Sequence, residues 1–443
     1  MNLIDEYVDT VSPSLDAPEV FIKASAYHLV SNLLGRFCAS ASAPGLSGLR
    51  PNAWIIISSI QARGRRSTVA NYHNHVYELA SRKFYEETMT IGHDEALTRS
   101  KECYIESGTK EGIVDHISLT DLRTYYVNST EFGPVLQGMA NTEYETGVAG
   151  VLSKLYYGEE GIYHLSQRNV ENKADAVRYL KGGKYVTMFC GMQEPHLYIT
   201  PGIFRQGLIR RIVLIYADRS DFGKWIPPLS DSRSGLRNKL NRIGVQFYNK
   251  MIEYNSYSKG RTDANRLLNK TFDFGMHPNV IDYINDYSKK LDNELLKTMS
   301  NVDVYRQTLW EHLSKYSMIH AIARNNVKVI DLGTETEAIG TIDPLDVKQA
   351  YSFLMDATKH SAEVISSIGR IDSPIRTSED PLDRVLSIIQ DEKTISRSDL
   401  HRKTKMLSRA LDDIIKTLHE QEMIEIEVRP TGGRNKAYYT ICT

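Results

Sequence analysis

Between Pro381 and Ile441 the apolar residues change period in an order that few folds accommodate. Leu382, Val385, Leu386, Ile388 and Ile389 recur at helical spacing behind Pro381, and a proline at an early helical position gives up only an N–H that has no helical partner. Thr394-Ile395-Ser396 reads as a short extended piece, and Ser398 is placed to cap a second helix that holds Leu400. A third helix, Leu407 to Glu420, buries Leu407, Ala410, Leu411, Ile414, Ile415 and Leu418. The chain then runs extended over Met423–Val428, turns through Thr431-Gly432-Gly433-Arg434 and returns over Ala437–Ile441.

Three helices followed by a β-hairpin is the order of a winged helix-turn-helix, expected over residues 381–443 after a polar linker at 369–380. Such a module meets DNA with the start of its third helix and with the hairpin tip, and both places are basic here. Arg397, Arg402, Lys403, Lys405 and Arg409 gather around the turn, with Asp399 the only acid nearby in sequence, and Arg429, Arg434 and Lys436 flank the tip. These eight residues are the expected DNA contacts. Winged helices also dock proteins, and Asp412, Asp413, Glu420, Glu422, Glu425 and Glu427 keep that reading open.

The whole chain gives no such footprint. Its formal net charge is −1 over 443 residues, so a nucleic-acid surface must be local. The four cysteines (Cys38, Cys103, Cys190, Cys442) form no C-x-x-C pair, which argues against zinc and disulfides and for a reducing compartment. With neither a signal-peptide pattern nor a run of about 18 apolar residues, the expectation is a soluble, cytoplasmic protein that contacts no membrane.

Upstream, strands alternate with helices. A helix is expected over Phe21–Phe37, a loop of small residues after it, and a buried strand at Ala53–Ile57. Ser58 to Arg66 reads as a polar loop and Ser67–Phe84 as a helix. Further strands are expected near Val127, at Tyr185–Phe189 and at Arg211–Ala217, with a helix at Thr146–Leu155 between them. This alternation predicts a three-layer α/β domain with a mainly parallel sheet over residues 1–262. Helical periodicity at Val280–Thr298, Val304–Arg324 and Asp346–Ile365 predicts a helical lid over 263–368.

The segment Trp54–Thr68, WIIISSIQARGRRST, has the strand, loop and hydroxyl-bearing helix start of a phosphate-binding loop. That loop needs G-x-x-x-x-G-K-[ST], so that backbone N–H groups wrap the phosphates, a lysine reaches them and a hydroxyl holds magnesium. Gly64 is the only glycine here. With Ser67 as the hydroxyl, Arg66 takes the lysine's place and Arg65 the second glycine's; with Gly64 as the second glycine, Arg65 takes the lysine's place and Arg66 displaces the hydroxyl. An arginine attracts phosphate but does not replace the ammonium geometrically. Downstream, a strand ending in Asp-Glu would organise magnesium and polarise water, and this chain has Thr130-Glu131.

Taken with ESGTKEG, STEFGPVLQ, LSKLYYGEE and GLIRRIVLIY, this loop resembles the helicase-like P-loop ATPases that accompany primases, and more remotely the AAA+ replicative helicases. The likeness is a spaced pattern over about residues 20–367. It implies a nucleotide site at Gly64, Arg65, Arg66, Ser67, Thr68 and Thr130, a vestigial catalytic Glu131 and a polar sensor at Gln193. It also implies an arginine finger at Arg210 or Arg211, acting across a subunit boundary. ATP and magnesium are the implied cofactors, DNA, further copies of the chain and replication proteins the implied partners. With the lysine and the aspartate both missing, the expected fold is a P-loop ATPase that has lost hydrolysis.

Two other patterns stand in the chain. His73 and His75 stand two apart on an expected helix and so point to different sides, which excludes a shared metal, and no metal site is expected. Arg233, Arg237, Lys239, Arg242 and Lys250 interleave with Phe247, Tyr248 and Tyr254, a pattern equally suited to nucleic acid and to an amphipathic surface helix. The overall expectation is a DNA-binding replication or genome-maintenance protein with a degenerate ATPase domain. The alternatives are an active DNA-dependent ATPase or translocase with an atypical loop, and a non-enzymatic regulator or assembly scaffold.

Overall fold

The computed structural model describes residues 2–38, 41–43, 46–59, 65–105, 110–120, 122–140, 145–164, 177–181, 183–193, 195–199, 208–217, 235–257, 273–276, 279–298, 303–331, 336–358, 364, 381–404, 408–420, 423–429 and 436–441. The chain divides into two compact units, Met1–Arg370 and Ile371–Thr443.

The large unit holds strands β1 (Ala41–Ala43), β2 (Leu46–Leu49), β3 (Trp54–Ser59), β4 (Thr124–Ser129), β5 (Gly161–His164), β6 (Val177–Leu180), β7 (Tyr185–Gln193), β8 (Val213–Ala217), β9 (Asp273–Met276), β10 (Val327–Asp331) and β11 (Thr336–Ile342). Four of them form a parallel sheet in the order β4-β7-β3-β8, with Ile56 opposite Cys190 on one side and Leu214 on the other. Beyond β4, Tyr104 forms a parallel bridge to Tyr126, and the Ile105 N–H donates to the Tyr126 carbonyl at 2.9 Å.

Every residue of β3 and β8 is buried, so both sheet faces are covered. That is why these strands read as unbroken apolar runs and not as alternation. The helix Arg66–Met89 packs on β3 and β7, Glu145–Tyr157 on β7, and Pro344–Thr358 on β8. The Trp54 indole, 1 % exposed, donates to the Val186 carbonyl at 2.8 Å and so locks β3 to β7 from inside.

The chain leaves β3 for β4, returns to insert β7 between them, and then passes β3 to lay down β8 on its far side. In an open parallel sheet such a reversal leaves a crevice at the carboxyl ends of the strands, where ligands characteristically bind. Candidate residues from three strands therefore meet at one edge.

Several local expectations are corrected. Ser58 and Ser59 belong to β3 and are fully buried, because the Ser58 hydroxyl donates to the Met192 carbonyl at 2.9 Å and needs no solvent. The small-residue loop contains an antiparallel hairpin, β1 with β2. The helix expected to run to Phe37 is α-helical over Glu19–Leu29, π-helical over Val30–Leu34 and 3-10 over Gly35–Phe37. The region expected to be a helical lid has helices Val280–Thr298, Asp303–Ala323 and Pro344–Thr358, but also a three-stranded sheet, β10-β11-β9. These strands are short, and the periodicity of the flanking helices outweighs theirs in the sequence.

The last of those helices shows why its start is sharp. Pro344 opens it, the Asp343 carboxylate accepts from the Leu345 N–H at 3.0 Å, and Asp346 reaches back to the Asp343 N–H at 3.0 Å. This reciprocal cap also holds Arg324, whose guanidinium bonds Asp346 at 2.9 and 3.0 Å and Asp343 at 2.6 Å.

The C-terminal unit has its own core of Val385, Ile389, Ile395, Leu400, Leu411, Ile415, Leu418, Ile424 and Tyr439. Helices Pro381–Glu392, Arg397–Thr404 and Ser408–Glu420 accompany strands β12 (Thr394–Ser396), β13 (Ile424–Arg429) and β14 (Lys436–Ile441), paired in the order β12-β14-β13. The expected cap at Ser398 is displaced by two residues. Ser396 caps the second helix, accepting from the Asp399 N–H at 3.2 Å and donating to the Asp399 carboxylate at 2.7 Å. Among the described residues no helix is long and apolar enough to cross a membrane.

Candidate functional site

At the carboxyl edge of the parallel sheet, β3 ends in Ser59, β4 in Ser129 and β7 in Gln193. Gly64 lies outside the described residues. Arg65 is described and takes φ +50°, in the left-handed region that glycine favours. Its guanidinium is held by Asp16, with Nε and Nη2 donating at 2.9 and 3.2 Å, and this bidentate pair steadies a backbone that would otherwise be strained.

Arg66 starts the long helix and turns inward. It is 8 % exposed, and its Nη1 donates to the Ser59 carbonyl at 3.2 Å and to the Met192 carbonyl. The guanidinium thus spans the ends of β3 and β7. Burial pulls its pKa down, against the attraction of Glu131. Ser67 is exposed and Thr68 half-buried on the first turn of the same helix.

Across the edge, Thr130 and Glu131 are exposed, and the Glu131 N–H donates to the Ser129 hydroxyl at 3.3 Å. Gln193 donates through Nε2 to Glu131 Oε1 at 3.3 Å. Beneath them the Phe132 N–H donates to the Gly191 carbonyl at 2.8 Å. A Cβ at Gly191 would stand 2.8 Å from the Thr130 carbonyl, so glycine is what lets this loop approach β7. The structure therefore brings Arg66, Glu131 and Gln193 together, although they are scattered over 128 positions in the chain.

Arg210 and Arg211 lie elsewhere. They lie in the 3-10 turn Ile209–Arg211, one residue before β8, and so stand at the amino edge of the sheet, opposite the crevice. Arg211 is 8 % exposed, with its guanidinium carbon 5.0 Å from the Tyr157 ring centroid, and the Arg210 carbonyl accepts from the Thr308 hydroxyl at 2.9 Å.

Near them is a buried cation that the sequence did not single out. Lys315 pairs with Glu311 at 3.2 Å, donates to Asn52 at 2.8 Å and stands 3.3 Å from the Tyr156 ring centroid. Burial lowers its pKa to about 8, with Glu311 opposing. The i, i+4 spacing of Glu311 and Lys315 was the available signal, but that spacing is far commoner on solvated faces.

His73 and His75 diverge on their helix. His73 is buried against His28 (2.8 Å between ring nitrogens), whereas His75 bonds Asn241 at 2.8 Å. Among the described residues no group of three His, Cys, Asp or Glu could hold a metal ion. Arg237, Lys239 and Arg242 are exposed on the helix Leu236–Tyr257 while Phe247 and Tyr254 are buried, which makes it an amphipathic surface helix; Arg233 lies outside the described residues.

In the C-terminal unit the basic residues have acidic neighbours. Arg397 pairs with Asp412 through bonds of 2.7 to 2.9 Å, Arg402 with Asp399 at 2.9 Å, Lys403 with Glu392, and Arg429 with Glu427 at 2.6 Å. Asp399 is thus not the only acid near the turn, because folding brings Asp412 and Glu392 to it. Lys405 and Arg434 lie outside the described residues, as do the side chains of Arg409 and Lys436. From Ile371 to Thr443 there are thirteen acids and twelve Lys or Arg, so the unit has no net basic character.

No family model matches the sequence, and no curated protein matches it.

Proposed function

We propose that the chain is a DNA-binding replication or genome-maintenance protein, built on a P-loop ATPase-like domain that has lost hydrolysis and ending in a winged helix. The observation that carries the DNA-binding half is the C-terminal unit's element order. Three helices and a hairpin fold on one small core, with β14 bonded on one side to the strand between the first two helices and on the other to β13. The third helix and the hairpin are the elements a winged module offers to DNA.

The ATPase-like half is supported by the meeting of Arg66, Glu131 and Gln193 at the switch-point edge. Arg65 adopts a glycine-like backbone, which favours the register with Ser67 as the hydroxyl and Arg66 in the lysine's place. The residues present do not fit a magnesium nucleotide. Arg66 Nη1 is taken by two backbone carbonyls, the Asp16 carboxylate is taken by Arg65, and Thr130 stands where an aspartate would organise the metal. No hydrolytic step is assigned.

Binding of duplex DNA to the full-length protein, titrated with salt, tests the first half. Affinity is expected to fall with a log–log slope of about −0.9 per phosphate contact. Binding that ignores salt, or none at low salt, overturns it. For the second half, ATP turnover near about one per second that is abolished by Glu131→Gln would overturn the loss of hydrolysis.

The ion pairs on the C-terminal unit favour a second reading, a regulator or assembly scaffold that docks protein. Mass photometry distinguishes the two. A homo-oligomer or assembly that forms without DNA supports the scaffold, and one that forms only on DNA supports the first reading.

A further inference from the structure

A different cleft opens at the amino edge of the parallel sheet. It is lined by Arg36, Phe37, Tyr85, Cys103, Leu122, Arg123 and Thr124. Arg36 is 8 % exposed, so its charge has left bulk water. Its hydrogen-bond partners among the described residues are neutral. Nε donates to the Asn32 carbonyl at 3.3 Å, and the phenols of Tyr77 and Tyr85 stand near enough to act on its charge.

Among the described residues, the groups that bond to one another beyond Arg36 are a thiol, a phenol and a backbone carbonyl. The Cys103 thiol donates to the Ser100 carbonyl at 3.4 Å, which leaves Tyr77 to donate to Cys103 Sγ at 2.7 Å and to face Arg36 with its lone pairs. Burial pushes the Cys103 thiol and the Tyr77 phenol up, so neither ionises readily. Glu102, the nearest described carboxylate in sequence, is bound by Arg99 at 2.9 and 3.1 Å. The carboxyl end of the helix that carries Arg36 supplies only about half a charge. Buried charges are ordinarily paired. Arg123 adds a second guanidinium to the same cleft, and Thr124 a hydroxyl.

We propose that this cleft binds a small oxyanion of the phosphate class, held between Arg36 and Arg123 with Thr124 at its side. The space inside the cleft is about 10 Å³, roughly what one water needs. One oxygen of the anion takes that place and the rest of the group stays at the mouth, so both free phosphate and a phosphomonoester are admitted. The site is independent of the crevice at Arg66, which lies at the other edge of the sheet.

The test is thermal unfolding and titration calorimetry of the full-length protein with inorganic phosphate, methyl phosphate or chloride at matched ionic strength. Phosphate is expected to raise the unfolding temperature saturably where chloride does not. Methyl phosphate matching free phosphate identifies the ligand as a phosphoryl group on a larger molecule, and its failure to bind restricts the ligand to the free ion. Arg123→Gln, at a half-buried position, is expected to weaken phosphate at least tenfold, and Arg66→Ala to leave it unchanged. No phosphate-specific shift, or a shift that survives Arg123→Gln, overturns the site. So does a thiolate absorbance at pH 7 that disappears in Cys103→Ser, because Cys103 would then be the counter-ion of Arg36.

Discussion

The two units treat charge in opposite ways. In the large unit Arg66, Arg211, Glu311, Lys315 and Asp346 are all buried, and each is met by fixed carbonyls, rings or partners. In the C-terminal unit the described ion pairs of Arg397, Arg402, Lys403 and Arg429 are largely exposed. A buried charge that loses its partner costs several kcal/mol, whereas an exposed pair contributes about 0–1 kcal/mol. The buried groups are therefore committed to the fold. The exposed ones can exchange one partner for another at little cost.

The largest expected effect comes from breaking a buried pair. Glu311→Ala leaves Lys315 without its carboxylate and is expected to destabilise the large unit by about 3 kcal/mol or more, read as a lower urea midpoint. A change below about 1 kcal/mol would mean that Lys315 is already neutral in the folded protein, and the contrast between the units would weaken.

Acid is expected to act next. His73 is held neutral by burial, with its pKa down at about 3, and His28 beside it is also lowered. Both are normal in the unfolded chain, near 6.5, so below that pH the unfolded state binds protons that the folded state refuses. Stability is full above about pH 6.5 and falls as the pH drops toward 3. His73 alone contributes a loss of about 2 kcal/mol by pH 5. Unfolding midpoints at pH 7 and pH 5 check this, and His73→Gln should flatten the dependence.

Arg66→Ala strips two carbonyls of a donor and is expected to cost about 1–3 kcal/mol without creating ATP turnover. If turnover appears, the guanidinium was blocking a competent crevice, and the loss of hydrolysis lies in one residue.

The smallest stability effect belongs to the exposed pairs. Lys403→Ala with Lys405→Ala should shift the unfolding midpoint by no more than about 0.5 kcal/mol and still weaken DNA binding, measured by fluorescence anisotropy. If affinity is unchanged while Arg434→Ala abolishes it, the hairpin is the principal contact and not the basic residues around Lys403.

Periodicity and capping, which are local, made most elements legible. The three C-terminal helices, the extended Thr394–Ser396, and the helices near Val280–Thr298 and Asp303–Ala323 lie within a few residues of where apolar spacing puts them. The parallel strands were legible for the same reason, since burial on both faces demands unbroken apolar runs. The β10-β11-β9 sheet was not, because β9 and β11 pair across more than sixty residues and only the folded chain makes them neighbours.

What the sequence determined by itself was the α/β character of the large unit, the strands of its parallel sheet, and the helix-and-hairpin order at the C-terminus, all set by spacing within a dozen residues. The tertiary structure alone decided the partners of the charges. Nothing local announces that Asp16 will hold Arg65 from 49 residues away, that Arg66 will turn inward onto Ser59 and Met192, or that Asp412 will face Arg397. Apolar residues need only be buried, and many neighbours satisfy them. A buried charge needs one partner at one distance and angle, and only the assembled fold supplies it.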